Sequence, residues 1–521
     1  MITQYSAQEN IPRLAWAAEI QHKRERVTVY HGRDVVTNQN SFFEGAWDGD
    51  FSSSKFDEAL SFMGSGAVFR DNDILFVTPC HTLERLFVIQ EPSRLYISNS
   101  LTFCLTLSGN SMDPGFALYQ GVYDSITKGF EEYVVEFPLN AGKKIESYVY
   151  CNISITSDLY VNIEKKNKAP NFTSFEEYRH FLECSIEALI NNANDNRRLT
   201  TYASLATASR GYDGAAVAAL AKNVGCEEVF TFANGRPKNQ VIGKYSANRS
   251  MIDDSGETVA SQLGYEKIIV KNRWDYLDVN SATYEFEACA SGNLWYDPTV
   301  VYEKDLRNKM LLTGHFGDVI WGRGASGSQM QKGGISGASL YESRLRIGFI
   351  HAPIPYIAAT SLSSIIDIAN SDEMKPWQLD RYYDRPIPRR IIESQGVARE
   401  EFGHKKMAVG VVLAGTKGNF LSKMSEMARK SFDIYYKKAR KERSLIKQSY
   451  YNFRTFLYVL PIGCAFLASK LKLKLYFSAS RNWVSKHWII YNRNPRAGSY
   501  LFPWGVNEVA KRYEIEKSPS K

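Results

Sequence analysis

The pattern of apolar and polar positions changes character near residue 165. Before that point, short apolar runs alternate with turn residues, which is the pattern of β-strands. The predicted strands span residues 66–69, 74–77, 86–89, 95–97, 133–137 and 147–155. The polar stretch 165–170 ends in proline and predicts a linker. We therefore expect a β-rich α+β domain at residues 1–165.

After the linker, strand and helix patterns alternate. Ser174 and Glu177 have the spacing of a capping box, which predicts the start of a helix. Further helices are expected at 215–223 and 257–263, and strands at 199–207, 229–232, 268–270 and 310–312. This alternation predicts an α/β fold in residues 170–415, with a doubly wound parallel sheet that has helices on both faces.

The last part of the chain, residues 416–521, is a basic and aromatic extension. Residues 422–448 predict a basic helix, and an apolar run follows at 456–468. This run contains Pro461 and is too short for a helix that spans a bilayer. It is either a buried helix or strand, or a segment that docks on a membrane surface or a partner, since basic and aromatic residues flank it.

The composition is that of a folded protein, with 44% hydrophobic and 23% charged residues among 521. The net charge of +8 is concentrated between Lys405 and Lys447, where twelve basic residues accompany three acidic ones. Such a segment is typical of proteins with an anionic partner, and it keeps a nucleic-acid enzyme among the alternatives.

Cysteine spacing and the N-terminus narrow the class of protein further. The seven cysteines include no C-x-x-C pair, which argues against a zinc or iron–sulfur site. Residues 1–21 contain no apolar run of the kind found in secretory signals. We expect a cytoplasmic protein, or one bound peripherally to a membrane.

Two glycine-containing turns follow predicted strands and carry the candidate chemistry. They are A-S-R-G-Y-D-G at 208–214 and T-G-H-F-G-D at 313–318. In each, backbone N–H groups and a helix N-terminus can bind an anion, and an aspartate, Asp213 or Asp318, lies in the first helical turn. Because ligands bind at the carboxyl ends of strands in open parallel sheets, the two turns predict one magnesium–pyrophosphate site.

These motifs resemble those of the asparagine synthetase family. The turn at 208–214 resembles the S-G-G-x-D-S loop of the ATP-pyrophosphatase, or HUP-like, fold. The turn at 313–318 resembles the S-G-x-G-x-D-E segment of asparagine synthetases and the related β-lactam-forming synthetases. Between them, D-D-S at 253–255 and the helix at 257–264 resemble the family's D-E-S and V-A-x-x-L-G. The order and separations agree over residues 170–410.

The N-terminal domain resembles the class II glutaminase domain of that family, which has an Ntn-like fold. T-P-C-H-T-L-E-R-L-F at 78–87 is similar to its D-x-x-G-x-x-P-L-Y segment. That domain depends on a cysteine at position 2, whereas position 2 here is Ile2. We therefore expect a degenerate domain without glutaminase activity. Cys80 or Cys104 is a poor substitute, because the N-terminal amine would no longer serve as the base.

The resemblance implies ATP and Mg²⁺ as cofactors. The residues that it assigns to the nucleotide are Ser209, Arg210, Gly211, Asp213, Phe232 and Gly314, with Asp213 and Asp318 as magnesium ligands. Phe232 is assigned to the neighbourhood of the adenine. Arg210 replaces a family glycine and Gly214 a family serine, so Arg210 could bind a phosphate itself.

The resemblance also implies residues for the chemical steps. His315 stands where the family has Glu or Tyr, and histidine can accept a proton from an amine, with Glu342 on a helix at 339–346 orienting it. The alternative is that His315 bonds only within its loop. Lys405 or Lys406 resembles the lysine that stabilises charge on the acyl-adenylate and pyrophosphate. A solvated basic run is the other interpretation.

We therefore expect an AMP-forming carbon–nitrogen ligase. It would adenylate a small-molecule, carbohydrate or peptide carboxylate and transfer the acyl group to an amine or ammonia. An RNA-modifying enzyme of the same nucleotide-binding fold and a non-catalytic nucleotide-binding scaffold are the alternatives. Further expectations are a homo-oligomer and a membrane or protein partner bound through residues 405–477.

Overall fold

The protein is a mixed α/β structure with three sheets. The computed structural model describes residues 2–22, 26–114, 116, 119–123, 125–126, 129–233, 254–272, 284–291, 299, 301–324, 340–379, 383–404, 421, 424–442 and 497–515.

The N-terminal part is a sandwich of two sheets. Their strands are Ile2–Ala7 (β1), Trp16–Gln21 (β2), Arg26–His31 (β3), Val36–Thr37 (β4), Ser41–Trp47 (β5), Phe62–Phe69 (β6), Asp73–Val77 (β7), Leu86–Glu91 (β8), Arg94–Ser98 (β9), Glu136–Pro138 (β10), Lys144–Tyr148 (β11), Asn152–Thr156 (β12) and Val161–Glu164 (β13). The orders are β1-β3-β2-β9-β8-β11-β10 and β13-β12-β7-β6-β5-β4. All pairs are antiparallel except β1 with β3. Buried side chains such as Trp16, Phe42 and Phe76 pack together between the sheets.

The third sheet is entirely parallel. Its strands are Ala203–Thr207 (β14), Glu228–Phe232 (β15), Lys267–Lys271 (β16), Lys309–Thr313 (β17) and Ile350–Pro353 (β18), in the order β16-β15-β14-β17-β18. Consecutive residues of β14 pack on opposite faces of the sheet: Leu205 belongs to one apolar cluster and Ala206 to another. Both faces are therefore covered, as in buried parallel sheets. The strand order reverses between β14 and β17, which makes this the topological switch point.

The helices pack around these sheets. They are Leu101–Ser108 (α1), Tyr119–Tyr123 (α2), Phe175–Ala193 (α3), Tyr212–Asn223 (α4), Glu257–Gln262 (α5), Tyr284–Ser291 (α6), Glu303–Leu306 (α7), Gly317–Ile320 (α8), Tyr341–Ile347 (α9), Leu362–Asn370 (α10), Pro386–Glu393 (α11), Glu426–Glu442 (α12) and Leu501–Ala510 (α13). Helix α4, rich in small buried residues, packs closely on β14 and β17.

Most of the predicted elements are confirmed, with three corrections. The expected strand 147–155 is two strands in different sheets, because Tyr150 between them has φ of 52° and turns the chain. The expected strand 199–207 begins only at Ala203, and Leu199 is 82% exposed. Of the expected strand 133–137, only residues 136 and 137 belong to a strand, β10.

The helix start at Ser174 differs in one detail from a reciprocal capping box. The Ser174 hydroxyl accepts the N–H of Glu177 at 3.3 Å, as expected. The Glu177 carboxylate, however, accepts the N–H and hydroxyl of Thr173, both at 2.8 Å, so the box closes one residue earlier.

A buried ion cluster joins the sandwich to the parallel sheet. Arg344, on α9, donates to Glu44 of β5 at 2.7 and 2.9 Å and to Glu84 at 2.8 and 2.7 Å. All three residues are at most 6% exposed. Burial raises the pKa of Glu84, against the opposing effect of Arg344.

The C-terminal extension belongs to the same folded body in its described part. Tyr513, just beyond α13, stacks on Phe103 of α1 with ring centroids 4.8 Å apart. Helix α12 confirms the centre of the predicted basic helix. The apolar run 456–468 lies outside the described residues. Among the described helices, none is long and apolar enough to cross a membrane.

Candidate functional site

The two glycine turns lie at the carboxyl ends of β14 and β17 and contact each other directly. A Cβ placed on Gly314 would lie 2.4 Å from the backbone carbon of Asp213. A Cβ on Gly317 would lie 2.8 Å from a carboxylate oxygen of the same residue. Glycine at these two positions is what allows the turns to approach so closely. Asp318 follows Gly317 in the first turn of α8, and it lies close enough to Arg385, the partner of Asp213, to raise the pKa of that guanidinium.

The first turn presents the N-terminus of α4. Gly211 is the N-cap residue, and no side chain at that position caps the N–H groups of the first helical turn. The hydroxyl of Ser209 accepts the N–H of Gly211 at 3.2 Å and lies 3.2 Å from where a Cβ on Gly214 would be. A serine at 214 would crowd this hydroxyl, which accounts locally for the glycine there.

The second turn has an unusual backbone. Phe316 has φ of 72°, in the left-handed region that non-glycine residues rarely adopt. Its ring stacks on Tyr356 with a centroid distance of 4.6 Å and an interplanar angle of 10°. This stacking fixes a strained residue, and strained backbone of this kind occurs often at functional sites.

The third motif contacts the first. Ser209 and Ser255 form an isolated antiparallel bridge, and the N–H of Arg210 donates to the carbonyl of Asp254 at 3.4 Å. A Cβ on Gly256 would lie 2.5 Å from the backbone carbon of Ala208. All three motifs singled out from the sequence thus meet at one end of the sheet. Asp253 lies outside the described residues.

Asp213 is paired with an arginine that the sequence did not single out. One Arg385 nitrogen lies 2.5 and 2.6 Å from the two carboxylate oxygens of Asp213. Burial lowers the pKa of Arg385, but Asp213, Tyr383 and Asp318 together raise it by more, so the net pKa is raised. Burial and then Asp213 raise the pKa of neighbouring Tyr383 to about 12. The site therefore contains both carboxylates and a buried guanidinium.

Arg210 points away from the contact between the turns. Its Nε donates to the carbonyl of Glu401 at 3.3 Å, and a terminal nitrogen is 3.8 Å from the Glu401 carboxylate. Its own carbonyl accepts the N–H of Gly403 at 2.8 Å. These contacts attach the first turn to the segment after α11, and Arg385 rather than Arg210 brings a guanidinium to Asp213.

His315 combines burial with an unpartnered nitrogen. Its Nε2 atom is buried and has no hydrogen-bond partner among the described residues. Burial lowers the pKa of His315 to about 4, against a smaller opposing effect of Asp318. The imidazole is therefore neutral near pH 7 and can accept a proton.

A second buried histidine lies on the neighbouring strand. His351, on β18, is 2.9 Å through Nε2 from the Thr313 hydroxyl, and its Nδ1 is buried without a partner among the described residues. Burial, followed by repulsion from His315, lowers the pKa of His351 to about 3. The ring of His81, from the sandwich, lies 6.3 Å from that of His351. The sequence pattern did not indicate this group because the three histidines belong to separate segments.

The prediction that Glu342 orients His315 is wrong. Glu342 lies on α9, but its carboxylate accepts from the Ser100 hydroxyl at 2.5 Å and from the Tyr513 hydroxyl at 3.0 Å. Among the described residues, no hydrogen bond joins Glu342 to His315. Burial raises the pKa of Glu342 to about 7. Its surroundings are a junction of α1, α9 and the segment after α13, which sequence spacing alone could not indicate.

Phe232, the two lysines and the two cysteines of the sequence analysis have different outcomes. Phe232 ends β15 as expected, buried in edge-to-face contact with Tyr302 at 5.0 Å. Lys405 and Lys406 lie outside the described residues. In the sandwich, Cys80 and Cys104 are both buried, and burial raises the pKa of each thiol, which disfavours the reactive thiolate.

The donor atoms suit a hard divalent cation bridged to phosphates. Carboxylate oxygens of Asp213 and Asp318 are ligands that Mg²⁺ accepts, and it commonly takes only one or two protein carboxylates. Within the described ranges, no group of three or more His, Cys, Asp or Glu could hold a metal by itself. A metal here would therefore need the phosphates as additional ligands.

Comparison with known proteins adds no assignment. No family model matches the chain, and no curated protein matches it.

Proposed function

We propose that the protein is an ATP-dependent carbon–nitrogen ligase with a doubly wound domain of the ATP-pyrophosphatase type. It would convert a carboxylate and ATP to an acyl-adenylate and pyrophosphate. An amine or ammonia would then attack the acyl carbon, forming the amide with loss of a proton and release of AMP. The observation that carries this proposal is the contact of the Gly314 turn with the backbone of Asp213 at the switch point of the sheet.

The chain's own groups would bind the triphosphate from three directions. The N-terminus of α4 and the Ser209 hydroxyl would hold phosphate oxygens from one side. Arg385 would turn from Asp213 to a phosphate, which guanidinium binds well. Asp213 and Asp318 would hold Mg²⁺, which neutralises charge on the phosphates.

The amide-forming step would use His315. Its Nε2 has no hydrogen-bond partner among the described residues and would accept the proton that the attacking amine loses, with Asp318 acting against the loss of basicity that burial causes. Asp318, close enough to affect the pKa of His315, would stabilise the imidazolium that results. In this proposal, proton acceptance by His315 does not require Glu342.

The nitrogen donor would be a substrate amine or free ammonia. Burial raises the pKa values of the Cys80 and Cys104 thiols in the sandwich, which disfavours either as a glutaminase nucleophile. The sandwich would then act as a support, fixed to the parallel sheet through Arg344.

The proposal is tested by pyrophosphate release from ATP and Mg²⁺ with a broad panel of carboxylic acids, with and without amines. We expect release with at least one acid and its loss in Asp318→Asn. Asp372→Asn is the matched control, because its side chain is 91% exposed and its pairing is with Lys375. Release in no combination, despite correct folding, would contradict the ligase assignment.

One observation favours the scaffold alternative. The Asp213 carboxylate forms an ion pair with Arg385, and the guanidinium occupies the place beside the carboxylate that a metal ion would need. If this pair were permanent, the site would bind nucleotide without magnesium and without turnover. ATP affinity measured with and without Mg²⁺ separates the two, since the ligase requires a metal-dependent affinity.

A further inference from the structure

Helix α12 is fixed to the rest of the protein by one face. Ala428, Phe432 and Ala439 on that face are buried. The Phe432 ring lies 5.7 Å from the ring of Trp504 in α13, and the Trp504 N–H donates to the Ser431 hydroxyl at 3.1 Å. The orientation of the helix about its axis is thereby set, and so is the face that it turns to solvent.

The solvent face, which we call the lysine face, carries Met427, Lys430, Ile434, Lys437 and Lys441. Their spacings of three and four residues place them in one stripe opposite the buried residues. The two large apolar members are strongly exposed, Met427 at 69% and Ile434 at 71%. An apolar pair inside a row of lysines is unusual for a face that contacts only water.

The charge of this face is only partly neutralised. Lys430 pairs with Glu426 at 2.7 Å. Lys437 and Lys441 have no acidic partner among the described residues. The sequence after the helix adds to the charge, because residues 443–507 contain ten Lys or Arg and no Asp or Glu. The described helix therefore presents lysines without acidic partners among the described residues beside exposed apolar side chains, and the sequence that follows it is strongly basic.

We propose that the lysine face docks the protein on an anionic lipid surface. Lysine ammonium groups attract acidic headgroups, and their aliphatic stems lie along the boundary that Met427 and Ile434 would enter. Nucleic acid fits less well, since a phosphate backbone offers the two exposed apolar side chains no apolar environment. This proposal does not depend on the nucleotide site.

The test is sedimentation of the full chain with phosphatidylcholine vesicles that contain about 30% phosphatidylserine. We expect salt-sensitive binding that pure phosphatidylcholine does not support. The binding of the double variant Lys437→Glu/Lys441→Glu should be weaker by about 30-fold or more, because two attractive charges are lost and two repulsive ones replace them. The control Lys55→Glu/Lys375→Glu reverses two lysines that are 65% and 69% exposed elsewhere and should bind as the parent does.

A second variant distinguishes lipid from nucleic acid. Met427→Ser/Ile434→Ser keeps every charge, so it should weaken vesicle binding about threefold or more while leaving binding to a single-stranded RNA oligonucleotide unchanged. Three results would overturn the proposal: equal binding to neutral and anionic vesicles, an equal loss in the control, or RNA binding that is tighter than vesicle binding and unaffected by the apolar substitutions.

Discussion

His315 is the residue on which the second half of the proposed reaction depends. In His315→Gln, we expect amide formation to fall about 100-fold or more, because a general base typically contributes that much. ATP–pyrophosphate exchange should remain near the parent level, since the first step does not use this proton transfer. Both rates are measured with the same acid, and the exposed His180→Gln is the control. Loss of both steps together would instead indicate a structural role.

Glu342 gives a pH dependence with a definite sign. Its folded-state pKa, about 7, lies above the ordinary value of 4.5, so the native state holds this proton more tightly than the unfolded chain. Stability from this group is complete below pH 4.5 and is lost as the pH rises through 7. The loss is about 3 kcal/mol.

The variant Glu342→Gln removes this titration and keeps the shape of the side chain. The urea midpoint of the parent should therefore fall relative to that of the variant between about pH 5 and about pH 8. Parallel midpoints over this range would show that the carboxyl group does not titrate there.

The sequence predicted the positions of some site residues but not those of residues whose partners are distant along the chain. The positions of Asp213 and Asp318 in the first turns of their helices were predictable, because each follows a strand and a glycine turn with a distinctive local pattern. Arg385 was not, since it is 172 positions from the carboxylate that it pairs with. The one signal in the sequence was its place directly before Pro386 at a helix start, since a following proline restricts the backbone conformation of the residue before it. Glu342 depends on Ser100 and Tyr513, from opposite ends of the chain.

At the scale of elements, the contact between the two turns can be tested by adding one methyl group. In Gly314→Ala, the new Cβ would meet the backbone of Asp213 at 2.4 Å, so the turns must separate. We expect a stability loss of about 1–3 kcal/mol together with weaker ATP binding. Gly324→Ala, which meets nothing within 4 Å, should change neither. Equal effects in the two variants would contradict the importance of the contact.

Four of the five strands of the parallel sheet were predicted, because short, continuous apolar runs bounded by turn residues have few alternative structures, whereas β18 was not predicted. The break at Tyr150 was not, because a tyrosine in the left-handed region leaves no glycine or asparagine signal. The start of β14 was placed too early for a similar reason. Leu199 is apolar yet exposed, and a sequence pattern assigns it to the core.

At the scale of the whole molecule, Arg344 joins the sandwich to the parallel sheet. Arg344→Met should destabilise the protein by about 3–5 kcal/mol, because two buried carboxylates, Glu44 and Glu84, lose their partner. Arg346→Met, which breaks a partly exposed pair with Glu303, should cost less than about 1 kcal/mol. Thermal unfolding measures both, and similar losses would show that the buried cluster is not a special connection.

Domain packing of this kind lies beyond sequence reasoning. The cluster takes Glu44, Glu84 and Arg344 from three distant segments, and the spacing of charged residues does not indicate which of them become buried. The α/β class and the β-rich start of the chain were predictable because they depend on local periodicity. The way the two parts pack was not.

The most direct test of the central claim is the Mg²⁺-dependent affinity for ATP in the parent, Asp213→Asn, Asp318→Asn and the double variant, measured by calorimetry. If both carboxylates hold the same metal-bound triphosphate, each single variant loses affinity and the double variant loses less than the sum, by about 1 kcal/mol or more. Losses that simply add, or an affinity that does not depend on magnesium, would contradict a shared site.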